Sequence, residues 1–274
     1  METSVKTKNR GKMLRKLSRA YLVIVLLLIY VPVAVMIRFS FNNSRANVTW
    51  QGFTLKYYKL LLRDTSLWKI LLTTLLLAAV VTIVSGIIGT LGAVGLRKAR
   101  FIGKKLITNA IYFPIVIPEI VLAVAMLLLF NFVGMRLSLI TVVIGNTTLV
   151  LPYVFITVKA RLVGMDPSME EASMDLGADR FYTFLHITTP AILPGIMSGA
   201  FMGFSLVLDE LIVTSFLADA ETVTLPMKVY SMIKKGVSPE INALTTLIFA
   251  LCLAGFVVYF VYEFFCFMKV RRHG

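Results

Sequence analysis

Residues 164–195 read GMDPSMEEASMDLGADRFYTFLHITTPAILPG, a polar, acidic stretch set between two long apolar blocks. Asp166 suits a helix N-cap and Pro167 the first helical position, where a missing N–H is no loss. Glu170 and Glu171 fall in the early turns and favour the positive end of the helix dipole. Gly177 ends the helix, because glycine takes the left-handed conformation without steric penalty. From Asp179 a second short helix puts Phe181, Phe184 and Leu185 on one face. Pro190 is expected to break the pattern before the next block. The spacing predicts a short helix, a turn and a short amphipathic helix at a membrane surface, a pattern that an ordinary interfacial helix pair shares.

The flanking sequence sets the solvent. Of 274 residues, 58% are hydrophobic and 15% charged, against about 25% charged in a soluble domain. The apolar residues come in blocks rather than in an alternation, and so much apolar surface suits lipid, not water. A span needs roughly 20 residues. The blocks predict an all-α, polytopic membrane protein with six spans at about 20–38, 68–96, 107–132, 138–162, 191–217 and 244–268. Six spans leave no room for a sizeable soluble domain, so any cytoplasmic catalytic machinery is expected on another chain. The blocks carry Pro114, Pro118 and Pro152, which membrane helices tolerate when neighbours satisfy the freed carbonyls.

The net charge of +14 is assigned to membrane topology rather than to nucleic acid, because the basic residues flank apolar blocks. Residues 1–19 form a basic tail expected in the cytoplasm, followed by an uncleaved first span, and 269–274 form a basic end. With the tail inside, 18 basic residues fall on cytoplasmic segments and ten outside, which favours both termini inside. Cys252 and Cys266 lie 14 residues apart in one block, about 21 Å along a helix, and are read as small apolar residues. With two histidines, His186 and His273, no metal site and no catalytic constellation is expected. Gly86, Gly89, Gly92 and Gly95 have no following G-K-S/T and read as helix packing, not as a nucleotide loop. The 218–243 stretch, with Pro226 and Pro239, is long for a connector and is expected to have a role of its own.

Three carboxylates fall within or beside spans: Glu119, Asp209 and Glu210. Charges there line a cavity, pair with a neighbouring chain or mark a path. Gly195, Gly199 and Gly203 form a small-residue stripe that permits close packing, and a continuous helix puts Glu210 on it. Asp209 lies about 100° away, on the face of Ser198, Met202 and Ser205. That acidic, serine-bearing face is the candidate pore lining: Asp209, Glu119 and Ser205 as contacts for a passing cation, Glu210 as a further contact or a structural partner.

The 164–195 stretch also resembles the cytoplasmic signature of bacterial ABC-importer permeases, E-A-A, three residues, G, nine residues, I-x-L-P. It stands here as Glu171, Ala172, Ser173, then Gly177, then Ile187 and Pro190, with Ser173 for the second Ala and Thr189 for the Leu. WQGFTLKYYKLL (50–61), PEIVLAVAMLLLF (118–130), FSLVLDELIVTSF (204–216) and LPMKVYSMIKKGVSPEINAL (225–244) resemble the branch of that family that serves polyamines. The resemblance implies a type I (MetI-like) permease fold, with a first peripheral span and a core of five. It implies that 164–190 is a coupling segment, with Glu170, Glu171, Ala172, Ser173, Asp175, Gly177, Ala178, Ile187 and Pro190 facing an ATPase. The implied partners are a second, homologous permease, two ATP-binding subunits carrying ATP and Mg, and a periplasmic or lipid-anchored binding protein. The chain itself is then a non-catalytic conduit in the bacterial inner membrane that binds no cofactor. The alternatives are the same architecture for ferric ion, thiamine or another solute, a membrane-embedded enzyme, or a channel with no need of the coupling segment.

Overall fold

The computed structural model describes residues 2–44, 49–234, 236 and 239–272, with side chains from Arg15 onward apart from most positions beyond Leu251. The elements are helices α1 (Glu2–Ser40), α2 (Lys56–Arg63), α3 (Thr65–Lys98), α4 (Lys104–Val116), α5 (Glu119–Phe132), α6 (Leu139–Val163), α7 (Ser168–Asp175) and α8 (Arg180–Thr183). A π-turn (Phe184–Thr188) leads into α9 (Thr189–Asp209), α10 (Ile212–Leu217), α11 (Leu225–Lys234) and α12 (Pro239–Arg272). Among the described residues no strand forms; the one extended pairing is an isolated bridge between Asn42 and Phe53. The all-α class read from the sequence stands.

Four helical stretches are long and apolar enough to cross a membrane: Arg15–Ser40, Thr65–Lys98, Leu139–Val163 and Arg180–Asp209. They meet the expected first, second, fourth and fifth spans. The expected third span is not continuous. Ile117 is extended ahead of Pro118, as the residue before a proline must be, and α4 and α5 meet at 114°. Counted as one span, the pair brings the total to five. The sixth, 244–268, falls on α12, whose side chains past Leu251 lie mostly outside the described residues. Cys252, Cys266, Lys235, the side chains of 1–14 and those of 269–274 also lie outside them.

The chain divides into two units, one of residues 1–65 and 231–274, the other of 66–230. In the first, α12 packs on α1 and α2. The turn after α1 is held by the Asn42 side chain, whose Nδ2 donates to the Thr49 carbonyl at 2.7 Å and whose Oδ1 accepts from the Gln51 amide at 2.8 Å. Phe41 stacks between Phe53 and Tyr58.

In the second unit α6 is central, in contact with α4, α5, α9 and α10. Val150, Val154, Phe155 and Val158 of α6 are fully buried, with Ile192 and Val207 of α9. The glycine stripe of α9 explains the closeness. A Cβ on Gly195 would lie 2.9 Å from the Thr157 carbonyl oxygen, one on Gly199 would lie 2.9 Å from Val154 Cα, and one on Gly203 would strike Val150 Cγ1. Backbone atoms cannot step aside, so Gly195 and Gly199 exclude side chains, while at Gly203 the obstacle is the Val150 side chain. The second-span glycines divide differently from the expectation. Gly89 abuts Val154, Gly92 merely approaches Phe155 at 3.8 Å, and Gly86 and Gly95 face open space. Gly199→Val is therefore expected to destabilise the protein by about 1–3 kcal/mol or more, while Gly86→Ala is neutral or better; thermal midpoints of the purified variants test the pair.

Candidate functional site

Two places in the second unit gather the predicted site residues. At the first, the fifth span stops early. α9 ends at Asp209, and Glu210 is extended, with ψ 119°. The expected continuous helix over 191–217 is thus broken, and Glu210 does not reach burial by continuing the glycine stripe. It turns back to cap α10. Its Oε1 accepts from the Val213 amide at 2.8 Å, and its Oε2 accepts from the Thr214 amide at 3.0 Å and the Thr214 hydroxyl at 2.9 Å. An anion at a helix start satisfies orphan N–H groups and complements the dipole. Asn146 Nδ2 extends the network, donating to Thr214 Oγ1 at 3.1 Å and to the Val142 carbonyl at 3.0 Å. Glu210 is a structural group with its bonds filled from its own chain.

Pro118 starts α5, and α5 packs on α10, which carries Glu119 to the same place. Its carboxyl interacts electrostatically with Glu210 and Asp209. One cavity of about 560 Å³ is lined by Glu119, Asp209, Glu210 and Ser205, with Asn146 and Tyr153 from α6. All four residues predicted for the path are thus brought together. Asp209 is exposed and has neither a hydrogen-bond nor an ion-pair partner among the described residues, and the buried Asn146 Oδ1 has no hydrogen-bond partner either. The Ser205 hydroxyl is spent on the Phe201 carbonyl at 3.0 Å. The cavity is therefore rich in acceptors and poor in donors, a setting for a cationic donor such as an ammonium group. Sequence reading missed Asn146 and Tyr153. The signal was present, since G-N-T-T at 145–148 is a polar island in an apolar block.

The second place is the 164–190 segment. Asp166 Oδ1 accepts from the Ser168 amide at 3.0 Å, Gly177 takes φ +92°, and Asp179 Oδ1 caps α8 through the Tyr182 amide at 2.6 Å. Helix, bend and second helix form as the spacing predicts. Pro190 differs from expectation: it does not break the helix. The Thr189 amide bonds the Phe184 carbonyl, five residues back. That widened turn admits a proline, which has no N–H and whose ring would clash with the preceding turn of a regular helix. Thr189 Oγ1 adds a bond to the same carbonyl at 2.8 Å.

The faces of α7 sort the coupling residues. Glu171, Ala172 and Asp175 are exposed, as are Gly177 and Pro190, while Ala178 and Ile187 are half-buried. Met169, Ala172, Gly177, Phe181 and Leu185 are among the walls of an open groove of about 1060 Å³. Glu170 and Ser173, three apart, share the inner face. Ser173 Oγ shares a hydrogen bond with Thr183 Oγ1 at 3.1 Å. Glu170 is 5% exposed, so it does not face outward with its neighbours. Its Oε2 lies 2.8 Å from Lys98 Nζ, its Oε1 accepts from Thr188 Oγ1 at 2.6 Å, and Arg97 Nη1 stands at 3.8 Å. Burial opposes ionisation of Glu170, but the bond from Lys98, the Thr188 hydroxyl and the two positive charges outweigh it and hold the carboxyl below its ordinary value. One carboxylate thus joins the end of α3, the helix α7 and the turn that opens α9.

Among the described residues no group of His, Cys, Asp and Glu is arranged to hold a metal. Residues 85–266 match the family model described as "Binding-protein-dependent transport system inner membrane component". The chain is 38% identical over 225 residues, 82% of its length and 85% of the relative's, to the spermidine/putrescine transport system permease protein PotC of Escherichia coli K12. It is 36% identical over 241 residues, 85% of its length and 86% of the relative's, to the putrescine transport system permease protein PotI of the same organism. A chain from the crystal structure of a bacterial ABC transporter involved in the import of the acidic polysaccharide alginate superposes with a TM-score of 0.71 at 17% identity, over 90% of this chain and 96% of that one. The last likeness shows the fold; the sequence matches show that this chain belongs to the family of inner-membrane components of binding-protein-dependent transport systems.

Proposed function

We propose that the chain is one of two homologous permease subunits of an ATP-binding-cassette importer for polyamines such as spermidine and putrescine. It sits in a bacterial inner membrane with both termini in the cytoplasm. The observation that carries the substrate class is the donor-poor cavity at the break of the fifth span. Asp209 offers an unpaired carboxylate and Asn146 a free carbonyl oxygen, beside the Glu119 carboxyl, which is hydrogen-bonded to Glu210, and the aromatic ring of Tyr153. Polyamines carry several ammonium groups on a flexible chain, and charge-assisted hydrogen bonds with cation–π contact suit them. The names of the 36–38% identical relatives point the same way. Glu119, Ser205 and Asp209 are exposed on the single chain, and a second permease would complete the path. An anion carrier has no use for these carboxylates.

The exposed groove along α7 and α8 takes the ATPase subunit, which holds ATP and Mg and performs the hydrolysis. This chain makes and breaks no covalent bond. Nucleotide-driven movement of the partner is passed on as a rigid-body shift of α7, and Glu170 relays it to α3 and α9. A binding protein, free or lipid-anchored, delivers solute over 218–243. The test is ATPase activity of the reconstituted complex with its binding protein and a panel of solutes. Spermidine or putrescine is expected to stimulate hydrolysis severalfold. Stimulation by ferric ion or thiamine alone would move the substrate, and failure to co-purify with an ATPase would remove the class.

A further inference from the structure

At the basic end of α3, cationic side chains from three helices line one small cavity. Arg97 ends α3, Lys104 opens α4 and Lys159 stands near the end of α6, around a space of about 170 Å³ walled by Leu96, Phe155 and Leu162. The cations are fixed in place by neutral groups. Lys159 Nζ donates to the Tyr112 hydroxyl at 3.1 Å and lies over the rings of Tyr112 and Phe155, at 5.5 and 5.6 Å. Lys104 Nζ donates to the Ala99 carbonyl at 3.0 Å. Arg97 Nη1 is buried without a hydrogen-bond partner.

The local acid neutralises this set only in part. Glu170 gives its short contact to Lys98 and stands 3.8 Å from Arg97, and neither Lys104 nor Lys159 forms an ion pair among the described residues. Three positive charges held around one cavity repel one another, and more strongly where water is partly excluded. An anion in the cavity removes that repulsion and gives the orphaned Arg97 N–H an acceptor. The surroundings are those of a bilayer surface. α4 exposes Leu106 and Ile107 beside Lys104 and Lys105, and Val163 of α6, which also lines the cavity, is 81% exposed. Positive charge below and exposed apolar side chains alongside match a headgroup with its acyl chains.

We propose that this cavity is a binding site for the phosphate of an anionic phospholipid, seated between α3, α4 and α6. The inference does not depend on which solute the transporter carries. Free phosphate shares the chemistry, so the experiment separates the two. The complete transporter is purified from nanodiscs of phosphatidylcholine with a fraction of phosphatidylglycerol, and retained lipid is counted by native mass spectrometry. The wild type is expected to retain phosphatidylglycerol over phosphatidylcholine. Lys104→Gln or Lys159→Gln should each weaken retention about fivefold, and the double variant about thirtyfold. Lys159→Arg, which keeps the charge, should restore retention and shows that the loss is not misfolding. Millimolar inorganic phosphate should leave the lipid in place. Displacement of the lipid by phosphate in the wild type would overturn the lipid assignment in favour of a free anion. Equal retention by the wild type and the double variant would overturn the site itself.

Discussion

Asp209→Asn is expected to lower polyamine uptake about tenfold to a hundredfold while the complex assembles normally. The side chain closes α9, is exposed to the acidic cavity and has no partner of its own among the described residues, so the fold does not need its charge. A hydrogen bond to a charged group contributes about 1.5–3 kcal/mol, and each 1.4 kcal/mol is a factor of ten. Glu210→Gln is expected to behave in the opposite way. Both oxygens of Glu210 accept from N–H or O–H groups, and an amide in its place turns one acceptor into a donor facing a donor. Burying unsatisfied groups costs about 1–3 kcal/mol each, so the loss should appear first as a lower yield of folded complex. Uptake per assembled complex separates the variants. If Asp209→Asn transports as well as the wild type, Asp209 is not on the path.

Glu170→Ala should uncouple the transporter. The substitution removes the one group that bonds α7 to both Lys98 of α3 and Thr188 ahead of α9. It also leaves Arg97 and Lys98 without a counter-charge and Thr188 without its acceptor. ATP hydrolysis is expected to persist while uptake per ATP falls at least about tenfold; a parallel fall in both activities would mean a docking role instead. The link has a pH signature. Because the folded-state pKa of Glu170 lies below its ordinary value of 4.5, the carboxylate stabilises the fold fully above that value. The contribution disappears as pH falls through the lower, folded value. Glu170→Gln should therefore weaken the protein at neutral pH and flatten the acid limb of its stability curve, measurable as thermal midpoints between about pH 3 and 7.

The spans were legible because hydrophobic blocks report directly on lipid as solvent. α3 and α6 lie within a few residues of their expected ends. The coupling segment was legible because caps and a left-handed glycine are local chemistry: Asp166, Gly177 and Asp179 act within four residues of themselves. The departures come from tertiary structure. No proline or glycine marks the stop at Asp209; Glu210 lies in the block itself, and its role as the cap of α10, backed by Asn146 from far off in the chain through Thr214, appears only in the folded chain. Pro118 was seen but read as tolerated, since a kink and a 114° bend look alike in sequence. Pro190 was read as a breaker because the π-turn that accommodates it depends on packing. The motif groups Glu170 with Glu171 as coupling residues, whereas the 100° between adjacent helical residues leaves Glu171 exposed and turns Glu170 to Lys98. Chemistry and the phase of a continuous helix pick out the path residues, and Glu119, Ser205, Asp209 and Glu210 line one cavity at the break of the fifth span.

The claim on which the rest depends is that this chain conducts polyamines under the drive of a partner's ATP hydrolysis. It is tested most directly by radiolabelled spermidine uptake into proteoliposomes holding the complete complex, with and without ATP on the coupling side. The account predicts accumulation that needs ATP and the binding protein and that falls with Asp209→Asn. Active ATP hydrolysis with no polyamine entering the vesicles, or entry indifferent to ATP, would contradict it.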